Sequence, residues 1–463
     1  MSKTAEKGKR KTRSKPKQGL RVIRPDVAGI DLGSREHYVC CPPTPEGEPN
    51  VQHFGTTTPE LNRLADWLKE QGVESVAMES TGVYWIPIYE ILERRGLEVL
   101  LVNARALSSV PGRKTDMLDC QWIQMLHSCG LLKGSFRPSD DICALRSLVR
   151  EKTTMEEQRS DWIRRIQKSL DQMNVCVHHA VSDISGTTGM AIIRAIVGGE
   201  RNPNTLAKLR DPRCRKPEKQ IAAELTGNWR AEHLFSLKQA LQMYDHICVG
   251  IAQYDAEIQR TLTVLQPPEN REIEAPEVTN PTKRKNFRSR GQEPMREALF
   301  RLSGCDLTAI DGIGVQTAET ILSELGTDLS CFPSEKHFVS YLKLAPKLAI
   351  SGGKPVTSKR SGSTTTRLGA TLRMAALTLR NSNTALGAEY RRIARRKGAS
   401  VAVFVMARRL ATLVYRLLHY GQAYVDEGMQ AYEERFKAAR LRTCKQIAKE
   451  FGLTVLEPDE AVA

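Results

Sequence analysis

Between Val22 and Gly130, short apolar runs and amphipathic runs follow one another in an order that few folds accept. "VAGIDLG", "EHYVCCPP" and "NVQHFGT" come first. Each is rich in strand formers and bounded by turn residues, so three consecutive strands are expected, the third at an edge. "TPELNRLADWLKEQG" then sets Leu61, Leu64, Trp67 and Leu68 on one helical face, with Thr58 as the expected cap. "VESVAMES" and "LEVLLVN" are Val- and Leu-rich strands on either side of the helical stretch "VYWIPIYEILERRG", and helix returns from about Asp116 to Ser128. Three strands followed by alternating helix and strand imply an α/β sheet with helices on its faces.

The same region carries acids where a fold exposes them. Asp31 closes the first strand just before Gly33, and Glu79 ends another strand before the turn "ESTG". In "GRKTDMLDC" the cations Arg113 and Lys114 run directly into Asp116 and Asp119. Three apart on a helix, those two carboxylates have Cβ atoms roughly 5–6 Å apart on one face. Four carboxylates converging at one sheet edge would repel unless a hard cation neutralised them. Mg²⁺ suits all-oxygen ligation, and two ions about 4 Å apart activate an attacking oxygen and stabilise a leaving one. The ordered set points to an RNase H-like nuclease fold; the alternative is a solvated face of ordinary salt bridges.

Charge agrees with a nucleic-acid partner. Lys+Arg number 69 against 53 Asp+Glu, a formal charge of +16, and no long apolar run offers a membrane span. With no export signal at the start, the chain is expected to stay in the cytoplasm. Eleven cysteines without a C-x-x-C imply reduced thiols, with neither a zinc site nor a disulfide framework. The pair His178–His179 has no third ligand at metal spacing along the chain.

Composition divides the chain. Residues 1–20 form a basic arm too polar to order itself, and 21–138 the sheet domain. Over 139–180 a long helix is expected, its stripe of Leu145, Leu148, Met155, Trp162, Ile166, Leu170 and Met173 interrupted by Lys152 and Arg159. A second long helix over 231–265 is expected to pair with it antiparallel, so that 139–265 is a coiled-coil region with an insert of short helices at 183–228. Residues 266–294, with five prolines and a basic cluster, read as a linker. A mostly helical domain over 295–435 and a short charged tail helix within 436–463 complete the chain.

Two stretches of the C-terminal half carry phosphate-binding character. "LTAIDGIGVQTAETILSELG" has a turn at Gly312 and Gly314 with a helix directly after it, the helix–hairpin–helix pattern whose backbone amides hold a phosphate without reading sequence. Residues 344–377 set Ser351, Ser358, Ser361 and Ser363 among Lys354, Lys359, Arg360, Arg367 and Arg373, a flexible loop leading into a helix near Thr366. A serine beside Gly352 and Gly353 leaves room for a phosphodiester; this permits a nucleophile without identifying one. The arginines of "YRRIARRKGAS" and "ARRLATLVYRLLHYG" fit contact with a nucleic-acid backbone.

In order along the chain, "GIDLGSREHYVC", "VAMESTGVYWIPIYEIL", "LVNARALSSVPGRKTDMLDCQWI", "VSDISGTTGMAIIRAIVGGERNPNTLAKLRDPR", "IDGIGVQTAETILSELG", "LAPKLAISGGK" and "RLGATLRMAA" resemble the DEDD transposases of the "one-ten" insertion-sequence family, in its "eleven-eleven" subgroup. The resemblance implies a RuvC-like domain whose Asp31, Glu79, Asp116 and Asp119 bind Mg²⁺, and a C-terminal catalytic serine at Ser351, with Ser358 and Ser361 as rivals. It further implies donor and target DNA as substrates, a phosphoserine link to DNA, a bridge RNA as guide, and a dimer that pairs into a tetramer through the coiled coil. Lys343 departs from the family, which usually has glycine there. The competing readings are a RuvC-like structure-specific nuclease using metal-activated water, and a non-catalytic nucleic-acid-binding descendant.

Overall fold

The computed structural model describes residues 21–80, 82–103, 107, 119–214, 216–270, 272–278, 280–345, 349–351, 354–356 and 366–453, with backbone alone at 349–351, 354–356, 422–433 and 436. The chain divides into two compact units, one up to Arg137 and one from Pro138.

In the first unit, β1 (Val27–Leu32), β2 (Glu36–Cys41) and β3 (Asn50–Gly55) form an antiparallel run. β4 (Ser75–Glu79) then adds parallel to β1, and β5 (Glu98–Val102) parallel to β4, giving the order β3-β2-β1-β4-β5. The expected strands are all present, with β3 at an edge. Helix α1 (Thr58–Glu70) joins β3 to β4, and α2 (Trp85–Arg94) joins β4 to β5. Leu61, Leu64 and Leu68 of α1 and Ile88 and Leu92 of α2 pack with Ala28, Ile30, Val76 and Met78 on one sheet face. Helix α3 (Asp119–Ser128) covers the opposite face, with Trp122, Ile123 and Leu126 against Ala77 and Val102. One detail differs from expectation. Thr58 is already helical; Thr57 is the N-cap and makes no side-chain cap bond, and Pro59 lies in the first turn.

The second unit opens with α4 (Asp140–Asp171). This helix ends nine residues short of the expected 180, where Asn174 takes a left-handed φ of 54° and a short helix α5 (Val177–Ala180) follows. Helices α6 (Thr187–Val197), α7 (Pro203–Ala207) and α8 (Glu218–Glu224) make up the insert. Helix α9 (Ala231–Leu265) then runs back along α4. The pairing is antiparallel: Lys152 meets Asp255, Met155 lies against Gly250, and Ile166 and Leu170 share a core with Leu237, Ala240 and Leu241. The interruption of the stripe at Lys152 now has a cause. Its Nζ lies 2.8 Å from Glu319 and 2.7 Å from Asp255, so a charge sits in the seam because two carboxylates flank it.

Residues 281–289, within the stretch read as a linker, are helical: α10 (Pro281–Ser289) is capped by Asn280 and buries Phe287. Helices α11 (Glu293–Ser303), α12 (Val315–Leu325) and α13 (Glu335–Tyr341) follow. The hairpin β6 (Ala349–Ser351) and β7 (Lys354–Val356) comes next, then α14 (Arg367–Thr378), α15 (Ala385–Lys397) and α16 (Ala399–Tyr420). The expected short tail helix is instead α17 (Gln422–Glu450), 29 residues long. Among the described residues, no helix is long and apolar enough to cross a membrane.

Candidate active site

The sheet sets where the acids of the first unit lie. Ile30 and Met78 are partners in the parallel β1–β4 ladder, so the next residues along, Asp31 and Glu79, stand side by side on adjacent strands at their C-terminal ends. Neighbouring strands are spaced about 4.8 Å apart. Side chains alternate between faces, and Ala28, Ile30, Val76 and Met78 belong to the core under α1 and α2. Asp31 and Glu79 therefore point to the other face, the one that α3 covers. Both are half-buried.

Helix α3 brings the third acid. Its C-terminal end is tied to the opposite edge of the sheet: His127 Nε2 and Ser75 Oγ share a 2.9 Å hydrogen bond, and the Ser128 carbonyl accepts from the amides of Ile23 and Arg24. Its N-terminal end thus overlies the strand ends that carry Asp31 and Glu79. Gly29 makes the close seat possible, since a Cβ there would overlap the Cys120 carbonyl oxygen and the Gln124 amide nitrogen. Asp119, exposed, is the first residue of this helix. The electrostatics agree: burial pushes the Cys120 thiol up to about 11, and the Asp31 carboxylate adds to that rise.

Asp31 and Glu79 thus share one edge and one face, and Asp119 opens the helix that covers that face; among the described residues these three do not bring their carboxylate oxygens within 4.8 Å of one another. The donors are all carboxylate oxygens, which suits a hard divalent cation. Asp116, Arg113 and Lys114 lie outside the described residues. Gly29 was missed in the sequence reading, although a glycine inside a strand signals a close backbone approach.

In the second unit, Gly312 has φ +86°, and a Cβ there would crowd the Ala375 carbonyl of α14, so this turn is packed inward. Gly314 is the N-cap of α12 and has open space around it. Lys283 of α10 donates to the carbonyls of Thr308 (2.8 Å) and Ile310 (3.0 Å), so a residue read as linker holds the turn. Ser351 ends β6 opposite Lys354 of β7, which makes this part of the expected flexible loop a short hairpin. Ser358, Lys359, Arg360, Ser361 and Ser363 lie outside the described residues. Arg367 begins α14 with Nε 3.6 Å from Glu324, and Arg373 lies over the Phe404 ring at 5.2 Å. Thr366 caps α14 by accepting from Gly369 at 3.0 Å. Lys343, the departure from the family, holds a left-handed φ of 59°, the conformation in which glycine alone is unstrained.

A family model of DEDD transposases matches residues 28–175, a span that holds all four acids. A second, described as the transposase family IS116/IS110/IS902, matches residues 306–391, from the Gly312 turn through the Ser351 hairpin to α15. The chain belongs to this transposase family. Together the two matches take in about half of it. No match was found among curated proteins. Membership makes this IS110-family transposase an insertion-sequence enzyme that acts on DNA and depends on divalent metal.

Proposed function

We propose that this transposase cuts and exchanges DNA strands with a carboxylate site built from Asp31, Glu79, Asp116 and Asp119 and a serine nucleophile, Ser351. The observation behind the proposal is that Asp31 and Glu79 stand side by side on adjacent strands, on the face covered by the helix that Asp119 opens. Bound there, divalent cations, Mg²⁺ as the family resemblance implies, would neutralise the carboxylates and polarise a phosphodiester. The four acids would hold the cations. Arg113 and Lys114 guide the nucleic-acid backbone toward them.

The Ser351 hydroxyl then attacks phosphorus and loses its proton. A serine Oγ–P bond forms as the bond to the departing strand oxygen breaks, and that oxygen takes up a proton. One phosphoester replaces another, so the exchange needs no ATP. Gly314, the open N-cap at the helix–hairpin–helix turn that Gly312 shapes, leads into backbone amides that face phosphate, and Lys354, Lys359, Arg360, Arg367 and Arg373 neutralise it. Following the resemblance, a bridge RNA selects donor and target DNA, and two dimers assemble so that the acids of one copy complete the serine of another.

A suicide DNA substrate that traps a broken strand tests the nucleophile. A covalent protein–DNA adduct is expected in wild type and lost in Ser351→Ala. Cleavage without any adduct would instead support the structure-specific nuclease, and an adduct lost only in Ser358→Ala or Ser361→Ala would move the nucleophile. Asp31→Asn should lower cleavage roughly a thousandfold, as expected for losing several kcal/mol of charge stabilisation, with the circular dichroism spectrum unchanged. Wild-type cleavage in Asp31→Asn would refute the carboxylate site.

A further inference from the structure

Where α5 meets the last helix of the insert, far along the chain from the carboxylate site, Cys176, His179 and Glu224 come together. A ligand atom from each, the thiol sulfur, an imidazole nitrogen and a carboxylate oxygen, lies within 4.8 Å of the others. His179 Nδ1 is 3.5 Å from Glu224 Oε2. Cys176 is the N-cap of α5 and His179 sits three residues on, so one short turn carries two donors, and the last residue of α8 supplies the third.

The backbone fixes this arrangement before any ligand arrives. The Cys176 amide donates to the Glu224 carbonyl at 2.8 Å, and the Asn228 amide donates to the Met173 carbonyl at 2.8 Å. Gly227 lets the two segments touch, because a Cβ there would overlap the Met173 carbonyl oxygen. Beneath them lies a continuous core that includes Val175, Val177, Ile221 and Leu225. Along the chain the His178–His179 pair has no third ligand at metal spacing, and no zinc site is expected; folding supplies the third donor from forty-five residues downstream, where spacing cannot show it.

We propose that Cys176, His179 and Glu224 bind one zinc-class transition-metal ion, which clips α5 to the end of α8. Thiolate and imidazole with one carboxylate are the donors that Zn²⁺ prefers, and a thiolate excludes Mg²⁺ as the natural occupant. Tetrahedral bonds to sulfur, nitrogen and oxygen place donor atoms roughly 3.3–3.7 Å apart, within reach of small side-chain rotations here. Three protein ligands leave the fourth position to water. His178 is held aside by Asp171, 3.2 Å from its Nδ1.

Cobalt(II) titration of the metal-stripped, reduced full-length protein tests the site. Expected is a thiolate-to-cobalt charge-transfer band with visible bands of a tetrahedral ion, saturating at one equivalent and displaced by Zn²⁺ but not by Mg²⁺. Cys176→Ser should abolish the charge-transfer band, and His179→Ala should weaken binding by more than about a hundredfold, beyond what losing an outer-shell partner does. Cys120→Ser, beside the carboxylate site, and Cys331→Ser, on the surface, should leave the band intact. Zn²⁺ should also raise the melting temperature of wild type and of Cys331→Ser, but not of Cys176→Ser. A band that survives Cys176→Ser, or binding that needs millimolar cobalt, overturns the proposal and leaves a plain His179–Glu224 contact.

Discussion

The two units place charged groups by different means. In the first, backbone hydrogen bonds do the work: the β1–β4 register sets Asp31 and Glu79 side by side, and the seat of α3 on Gly29 lays the helix that Asp119 opens over their face. In the second, side chains reach across helices. Lys152 joins Glu319 and Asp255, and the Glu324 carboxylate holds Arg150 at 2.8 and 2.7 Å, with Arg146 and Arg367 beside it. A ladder fixes position through many small, repeated bonds, so removing one carboxylate leaves the frame standing. A buried ion cluster concentrates position in a few charges, so removing one leaves its partners exposed to a poorly polarisable interior.

Lys152 gives the largest expected contrast. Burial by itself would lower its pKa, yet Glu319 and Asp255 outweigh burial and raise it, so the ammonium stays charged. Its side chain is 7% exposed and that of Glu319 4%. Lys152→Ala should destabilise the second unit by about 3–5 kcal/mol, the usual result of stranding a buried charge. Pairing Lys152→Met with Glu319→Leu should restore most of that in urea unfolding. A single variant as stable as wild type would erase the contrast between the units.

Gly29→Val tests the backbone side. The added side chain meets main-chain atoms of α3, which cannot rotate away. The expected loss is about 3 kcal/mol, at the upper end for overpacking, together with cleavage activity, because α3 carries Asp119. Ala at the same position should fall between the two. Unchanged stability in the valine variant would mean that α3 is not seated on β1.

A smaller effect separates the units by pH. Burial pushes the His127 imidazole down to about 4, and Arg24 pushes the same way against Glu98. Below about pH 6.5 the unfolded chain takes up a proton that the folded one refuses. Stability of the first unit therefore falls as pH drops from 6.5 toward 4, by on the order of 2 kcal/mol. In His127→Gln this slope should flatten, measured as the urea midpoint across that window. A slope identical to wild type would show that another group titrates there.

The smallest expected effect is a gain. Lys343 holds a left-handed φ that a side chain with a Cβ opposes. Lys343→Gly should stabilise the second unit by about 1 kcal/mol, the relief of that local strain. Destabilisation would mean that the lysine side chain makes contacts worth more than the strain.

The five strands and the helices of the first unit were legible because short apolar runs bounded by turn residues mark buried strands, and the three-to-four spacing of Leu61, Leu64 and Leu68 marks a helix face. The order of Asp31, Glu79 and Asp119 along those elements was legible for the same reason. The helix at 281–289 was not, because its proline and basic residues look like a linker until Phe287 finds a core and Lys283 finds the carbonyls of Thr308 and Ile310. Lys152 looked like a flaw in a stripe for the same reason: its partners are distant in sequence.

By itself, then, the sequence determined the local elements, the excess of positive charge and the acids waiting at strand ends, all of which depend on neighbours a few residues away. Tertiary structure alone decided that α3 runs back over β1, with Asp119 opening the helix that covers the face of Asp31 and Glu79, and that Glu224 reaches Cys176 and His179. Those meetings depend on which surfaces pack together, and packing is settled by the burial of whole faces rather than by the spacing of the residues that profit from it.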